Sequence, residues 1–488
     1  MAFKTDESFL EKLTMGAAGS RAVAVRLQGL GHEMAELERY TTANKIWSRK
    51  VKRLRLPDLF CVKCGLRVEA RAKSKLEIKL SDSPMVSGRE WDANLRDSDL
   101  IGLVKCYLEE GEVRAGSRVE FFCVGALRES VEVSRLGPPK SASEGAERDR
   151  TWPANAPPRD GRVARVGADG VRVEWGEGGS YTYRRSDAKN HVYVSEGEEF
   201  VGLEQFIIGS VEAPSELECP GATWSHLDDL SSEEPTDRYA AAKALGLLGD
   251  KKAVGALGQV STNQDEDIRI RVEAIGALGR LGDLDAVEKL SVIAMSDEYP
   301  EGMPMEAVFI LSELPWTSAA DALEDIASKE ELDEEIRAAA VWGLGSTGHG
   351  EAARLLGFIG DANDYVAVHA VIAAGSSLDQ ATCMAAAEML KQESRQAAAA
   401  ARLLASQGTD GASVLAQVAE QGSGEARLWA LRGLGLAGRA ALSAVELDRE
   451  TLRLLEPMLV AEDDFLNEGE VLKLLLFVEK QVAFDPIV

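Results

Sequence analysis

Between Leu66 and Leu80 apolar and charged positions trade places at almost every step. Leu66, Val68, Ala70, Ala72, Ser74, Leu76, Ile78 and Leu80 take one face; Arg67, Glu69, Arg71, Lys73, Lys75, Glu77 and Lys79 take the other. A period of two over that length predicts a half-buried β-strand, with a carboxylate set in a row of cations on its outer side. Pro57-Asp58 closes a preceding strand around Ile46–Leu56, and Cys61-Val-Lys-Cys64-Gly65 makes the turn between the two. Upstream, Gly19–Tyr40 reads as a helix carrying Glu33, Glu36 and Glu38. Downstream, Arg89–Arg96 reads as a polar helical piece and Leu100–Leu108 as a short apolar strand.

From Gly111 the pattern turns to short β-segments. Arg118–Val124 and Glu129–Arg135 read as paired strands. Residues 137–160, rich in Pro, Ser, Ala and charge, read as a flexible linker. Three alternating strands follow, Arg162–Val166, Val171–Trp175 and Ser180–Arg184, parted by glycine-rich turns. Trp175, Tyr181 and Tyr183 either form an exposed aromatic cluster or pack inside this unit. Beyond Asp237 the period becomes helical and the chain repeats itself. The stretches 237–250, 270–283, 336–348, 366–377 and 426–438 align, with weaker copies near 305–314 and 396–408. Each reads as an Ala-rich helix, a Gly suited to a left-handed cap, and a second helix such as Ala253–Gln259 or Ala286–Ala294. Arg449–Val460 and Glu468–Phe484 read as helices that close the end of the stack.

These units resemble HEAT-like repeats of the phycobilisome-lyase type. The resemblance implies an α-solenoid, in which stacking gives each small helix pair the core it lacks alone and the surface is offered to protein partners. A bilin-lyase activity is not expected, because no chromophore site is visible. The strands of the middle segment, GRVARVGADGVRVEW, resemble the opening of an SH3-like barrel of the Tudor or KOW sort.

An Asp at the end of one strand, then Glu and a basic residue on the next, resembles the PD-(D/E)xK nucleases. That chemistry needs two carboxylates to hold a divalent cation, which activates water beside a phosphodiester, and a cation to steady the charge that develops. The resemblance places these roles on Asp58 and Glu69, which would hold Mg²⁺, and on Arg71 and Lys73, with Glu36 as a further carboxylate from the upstream helix. Arg71 stands where the family has Lys, and an always-charged guanidinium is a poor proton-transfer group. An ordinary charged hairpin remains the alternative.

The fold class expected is therefore multidomain α+β. It comprises an α/β nuclease-like module (1–110), a β-rich segment (111–220) with a barrel-like unit at about 161–210, a HEAT-like solenoid (235–460) and a capping helix (461–488).

Charge sharpens this picture once it is divided. Residues 1–80 hold 17 Lys and Arg against 9 Asp and Glu, whereas the whole chain carries a net −26. Lys45, Arg49, Lys50, Lys52, Arg53, Arg55 and Lys75 make a basic stripe suited to a phosphate backbone, so DNA is the expected nucleic-acid partner. Cys61-x-x-Cys64-Gly65 resembles half a zinc knuckle, with Cys106 and Cys123 as candidates for the other ligands of Zn²⁺. Reduced thiols packed as small core residues are the other reading. Six cysteines in 488 residues, no apolar run of membrane length and no signal-like N-terminus point to a cytoplasmic protein with no membrane partner. No Walker A, Gly-x-Ser-x-Gly or HExxH pattern is present. Two functions follow. One is a metal-dependent DNA endonuclease, or a nuclease-like DNA-binding protein, with a HEAT-repeat arm, a combination suited to bacterial restriction or anti-phage systems. The other is a non-catalytic scaffold whose basic N-terminus docks nucleic acid or an acidic partner.

Overall fold

The computed structural model describes residues 7–37, 54, 56–109, 112–142, 145–300, 302–347, 352–375, 378–392, 394–437 and 441–455. These fall into two units that part near residue 240, the first rich in strands and the second helical.

In the strand-rich unit, helix α1 (Glu7–Gln28) ends at Gly29–Gly31, where Gly31 takes φ +87°. The helix expected over Gly19–Tyr40 thus stops early, because two glycines terminate it. Glu33 follows the turn, Glu36 ends strand β1 (Met34–Glu36), and Glu38 lies outside the described residues. Strands β2 (Leu59–Cys61), β3 (Arg67–Lys73), β5 (Leu100–Glu109) and β6 (Glu112–Cys123) join β1 in one sheet of order β1-β2-β3-β5-β6. Its neighbours are antiparallel except β3 and β5. α1 lays Val23, Ala24 and Leu27 on Met34, Leu59, Val68, Ala70, Leu100 and Phe121. The strand expected at Ile46–Leu56 falls largely outside the described residues.

The long alternation is real, but two sheets share it. Ser74 and Lys75 form an exposed bend, and β4 (Ile78–Asp82) pairs with β8 (Arg148–Trp152) rather than continuing β3. Val68 and Ala70 pack under α1, whereas Leu76, Ile78 and Leu80 enter a second core with Ile101, Leu103, Phe122, Trp152 and Phe206. The segment expected as a linker supplies β8, which also pairs with β7 (Arg135–Leu136). Its charges and tryptophan are consumed by the fold: Arg150 meets buried Asp82 at 2.6 Å, and the Trp152 indole N–H donates to the Leu127 carbonyl at 3.1 Å.

Two further expectations change. Arg89–Arg96 is a run of turns, with Gly88 at φ +72° and Asn94 at φ +62° breaking any helix. The nuclease-like order of helix, strands, helix and strand is therefore incomplete among the described residues. Glu129–Arg135 does not pair with Arg118–Val124 either, and only its last residue, Arg135, enters a strand. β6 runs into helix α2 (Val124–Glu129), whose Val124 and Leu127, one turn apart, both enter the second core.

The middle segment forms a four-stranded sheet from β10 (Gly161–Gly167), β11 (Gly170–Trp175), β12 (Ser180–Arg184) and β14 (Glu199–Phe200), in the order β12-β11-β10-β14. A separate small sheet is made of β9 (Ala154–Asn155), β13 (His191–Val192) and β15 (Ile208–Gly209). The three expected strands are present, but no closed barrel forms among the described residues, because the four-stranded sheet ends on β12 and β14 without their pairing.

After a short helix α3 (His226–Asp229), the helical unit follows the repeat pattern closely. The expected first helices are α4 (Pro235–Leu247), α6 (Ile268–Arg280), α8 (Met303–Ser312), α10 (Glu334–Ser346), α12 (Asp364–Ala373), α14 (Ser394–Ser406) and α16 (Gly424–Leu436). Between them stand α5 (Val254–Thr262), α7 (Leu284–Ala294), α9 (Thr317–Ser328), α11 (Ala352–Leu356), α13 (Gln380–Met389) and α15 (Gly408–Gln421), and α17 (Arg449–Leu455) follows. The second expected capping helix, Glu468–Phe484, lies outside the described residues.

Part of the acidity here has a local task. Asp267, Asp283, Asp333 and Asp379 each accept a backbone N–H of the helix that they precede. The recurring arginine near the start of the first helices reaches back to the preceding helix's last turn: Arg271 to the Ser261 carbonyl at 3.5 Å and Arg337 to that of Ala327 at 2.8 Å. Gly249 and Gly282 take the positive φ expected after a first helix. Glycines inside the helices serve contact instead: a Cβ on Gly345 would stand 2.6 Å from the Ala373 carbonyl oxygen.

Candidate metal centre

The turn between β2 and β3 is tight because Cys61 and Gly65 close it on themselves. The Gly65 N–H donates to the Cys61 carbonyl at 2.9 Å, and the Cys61 N–H to that of Leu66 at 2.8 Å. Gly65 takes φ +75°, and a Cβ there would stand 2.9 Å from the Trp224 ring, so glycine satisfies both backbone and space. The turn is held from two other stretches of the same unit. The Val62 N–H donates to the Glu33 carbonyl at 2.9 Å, Lys63 pairs with Glu33 at 3.1 Å, and His226 Nε2 meets the Val62 carbonyl at 2.6 Å.

The early end of α1 delivers His32. Its Nε2 lies 2.9 Å from the Leu217 carbonyl, which can only accept, so Nε2 carries the proton and Nδ1 presents its lone pair. Nδ1 lies 3.5 Å from Cys64 Sγ. The Cys219 N–H donates to the Leu30 carbonyl at 3.0 Å, drawing the third stretch onto the same spot. His32, Cys61, Cys64 and Cys219 thus place four donor atoms within 4.8 Å of one another. The Cys64 thiol hydrogen-bonds to Cys61 Sγ and draws the Cys61 thiol well below its ordinary value, helped by the backbone N–H groups of Cys64 and Glu33. Cys64 is pushed up by the same bond and by burial.

Of the cysteines proposed from sequence, the structure brings Cys61 and Cys64 together and leaves Cys106 and Cys123 out of the group. Cys123 sits opposite Leu100 on β6, three strands from β2, which at about 4.8 Å per strand is roughly 14 Å. Cys106 lies six residues further along β5 than Leu100, roughly 20 Å at about 3.3 Å per residue, buried with its thiol 3.9 Å from the Met15 carbonyl. Burial lifts that thiol to about 11. Sequence reasoning missed His32 and Cys219, 29 residues before and 155 residues after the Cys-x-x-Cys pair. The only local sign is the turn-forming Cys219-Pro-Gly.

The second candidate site lies on the other face of β3. The register pairs Leu59 with Val68, so one step back sets Asp58 opposite Glu69. Both carboxylates have protein partners: Asp58 Oδ2 accepts the Ala70 N–H at 2.8 Å, and Glu69 pairs with Arg71 at 2.5 Å. Glu69 first, and Asp58 after it, raise the Arg71 guanidinium above its usual value. Lys73 falls to about 8, chiefly by burial and then through Arg71 and Lys79, and its ammonium donates to the Lys79 carbonyl at 2.5 Å. Glu36 pairs with Leu59, out of phase with Asp58, and strand alternation turns it to the opposite face. Arg67 leaves the solvated row altogether. Buried, it meets Asp99 at 3.0 Å and Asp237 at 2.9 Å. In the proposed stripe Lys75 is exposed and paired with Glu77 at 2.7 Å, while Lys45, Arg49, Lys50, Lys52, Arg53 and Arg55 lie outside the described residues.

Of the middle aromatics, Tyr183 belongs to the core of its sheet and Trp175 packs against that core, edge-on to Phe200 at 6.2 Å, while Tyr181 is exposed.

With this geometry in view, residues 227–302 match the family of HEAT repeats. A comparison with curated proteins gives no match. Among solved structures, the chain is similar to the complex of CpcE and CpcF of phycocyanin lyase from Nostoc sp. PCC7120, at 20% identity over 51% of this chain and 98% of that one, with a TM-score of 0.24. It is also similar to human deoxyhypusine hydroxylase in complex with glycerol, at 16% identity over 45% of this chain and 86% of that one (TM-score 0.20). A third likeness is to an engineered protein, at 17% identity over 53% and 77% (TM-score 0.26). The match to HEAT repeats thus covers the first helix pairs of the helical unit. Among the described residues no helix is long and apolar enough to cross a membrane.

Proposed function

We propose that this protein is a non-catalytic scaffold whose HEAT-like helices dock a protein partner. The observation that carries this reading is the succession of helix pairs from α4 to α17, its first part matching HEAT repeats. Repeats of this kind use one side of each helix for their neighbours and leave the other for recognition. Apolar side chains left in water support it: on α7, Leu284 is 61% and Val292 53% exposed, and Val254 on α5 is also exposed. The basic stripe around Lys45–Arg55 gives the scaffold a second contact, with nucleic acid or an acidic partner, argued from its sequence alone.

The test compares proteins captured by the full chain and by Leu284→Glu/Val292→Glu, with circular dichroism and melting curves for both. The scaffold reading expects partners lost at least tenfold with folding unchanged, since an unpaired charge buried in an apolar contact costs more than the about 1.4 kcal/mol that a tenfold loss requires. Equal capture by both chains contradicts the docking face.

A second reading, a Mg²⁺-dependent endonuclease, is favoured by one observation, the cross-strand placement of Asp58 and Glu69 beside Arg71 and Lys73. The bonds that both carboxylates already make to Ala70 and Arg71 weigh against it. Plasmid nicking with Mg²⁺ or Mn²⁺ decides: cleavage abolished by Asp58→Ala and by Glu69→Ala establishes the enzyme, and none in the wild type rejects it.

A further inference from the structure

We infer that His32 Nδ1 and the thiolates of Cys61, Cys64 and Cys219 bind one Zn²⁺ ion, which pins three distant stretches of the strand-rich unit to one another. Spacing, orientation, frame and donor set all fit this site.

The first is spacing. Zn–S bonds of about 2.3 Å and Zn–N bonds of about 2.0–2.1 Å, set tetrahedrally, put neighbouring donor atoms about 3.5–3.8 Å apart. The His32 Nδ1 to Cys64 Sγ separation of 3.5 Å is already of that length, and all four donor atoms lie within 4.8 Å of one another. The second is orientation. A ligating histidine commonly gives its other N–H to a carbonyl, which fixes the tautomer and aims the ring. His32 does this through Nε2 to Leu217.

The third is the frame. Cys61-x-x-Cys64-Gly65 is a knuckle closed by its own backbone bonds, and the backbone N–H of Cys219 is tied to Leu30, two residues before His32. Each ligand is therefore placed by main-chain contacts that do not depend on the ion. The fourth is the donor set. Three soft thiolates and one imidazole select zinc over magnesium or calcium, and four protein ligands leave no open position, so the site is structural and not catalytic. The three cysteines concerned, Cys61, Cys64 and Cys219, are free thiols and unpaired as disulfides. On coordination the three cysteines give up their protons to solvent and His32 binds as the neutral ring.

The experiment counts metal in the full chain, purified in reductant after expression with added zinc, by inductively coupled plasma mass spectrometry. About one zinc per chain is expected for the wild type, Cys106→Ala and Cys123→Ala, and at least tenfold less for Cys219→Ala and His32→Asn. A second readout needs no variant. Co²⁺ added to metal-stripped wild type should give thiolate-to-cobalt and tetrahedral bands that saturate near one equivalent and bleach when Zn²⁺ is added. The inference is overturned if the wild type retains no zinc and gives no such bands, or if iron is found in zinc's place. It is equally overturned if Cys106→Ala or Cys123→Ala loses the metal while Cys219→Ala keeps it.

Discussion

Two buried titratable side chains show how environment overrides residue type. His369 sits inside α12 with its Nδ1–H donated to the Tyr365 carbonyl at 2.6 Å, and burial draws the ring down to about 4 from the usual 6.5. The native chain therefore keeps His369 neutral where the unfolded chain binds a proton. Its stabilising share is full above about pH 6.5, declines as pH falls from there to about 4, and has gone by roughly 3 kcal/mol below that. Urea unfolding between pH 7 and 4 should show this loss in wild type and a flatter profile in His369→Leu; identical profiles would contradict it. Arg67 makes the complementary case. It was legible only as one cation in an alternating row, yet Asp99 and Asp237 claim it inside the fold. Removing one partner of a buried pair strands the other, so Asp99→Ala should cost about 3–5 kcal/mol in urea unfolding, against under about 1 kcal/mol for Glu77→Ala beside exposed Lys75. Comparable losses in the two variants would refute that distinction. The place of His32 was invisible for a related reason: what sets its ring beside the cysteines is the Leu217 carbonyl and the Cys64 thiol, neither of them near it in sequence.

Among the elements, legibility followed locality. The first helices of the repeats were readable because Ala, Gly and Arg recur at fixed offsets, and each offset has a packing cause. Gly345 is one such cause: the added methyl of Gly345→Ala would press on the Ala373 carbonyl of the next first helix, a backbone atom that cannot swing aside. Gly255, on α5, has open space around its missing Cβ. Gly345→Ala should therefore lower stability by about 1–3 kcal/mol, while Gly255→Ala should be neutral or raise it by up to about 1 kcal/mol. Chemical denaturation of both variants checks this, and a harmless Gly345→Ala would reject the close-packing account. The strands were harder to read. One unbroken alternation over 66–80 served two sheets, because periodicity records which side of a strand is apolar and not which core receives it. The linker-like composition of 137–160 hides β8, because its partners, β4 and β7, complete a ladder that composition does not report.

For the molecule as a whole, the division of charge predicted two kinds of surface, and the acidic repeats now have a partial physical explanation in their helix caps. The functional choice is between helices that bind a partner and carboxylates that hydrolyse a phosphodiester. Asp58 and Glu69 are both engaged by β3, whereas Leu284, Val292 and Val254 face water, and that contrast supports the scaffold. Hydrogen–deuterium exchange of the full chain, with and without the partner it captures, reads this choice directly. A docking face on these helices slows exchange in peptides covering 254–262 and 284–294 and leaves 58–73 unchanged. Protection confined to 58–73, with both helices exchanging as in the free protein, would contradict it.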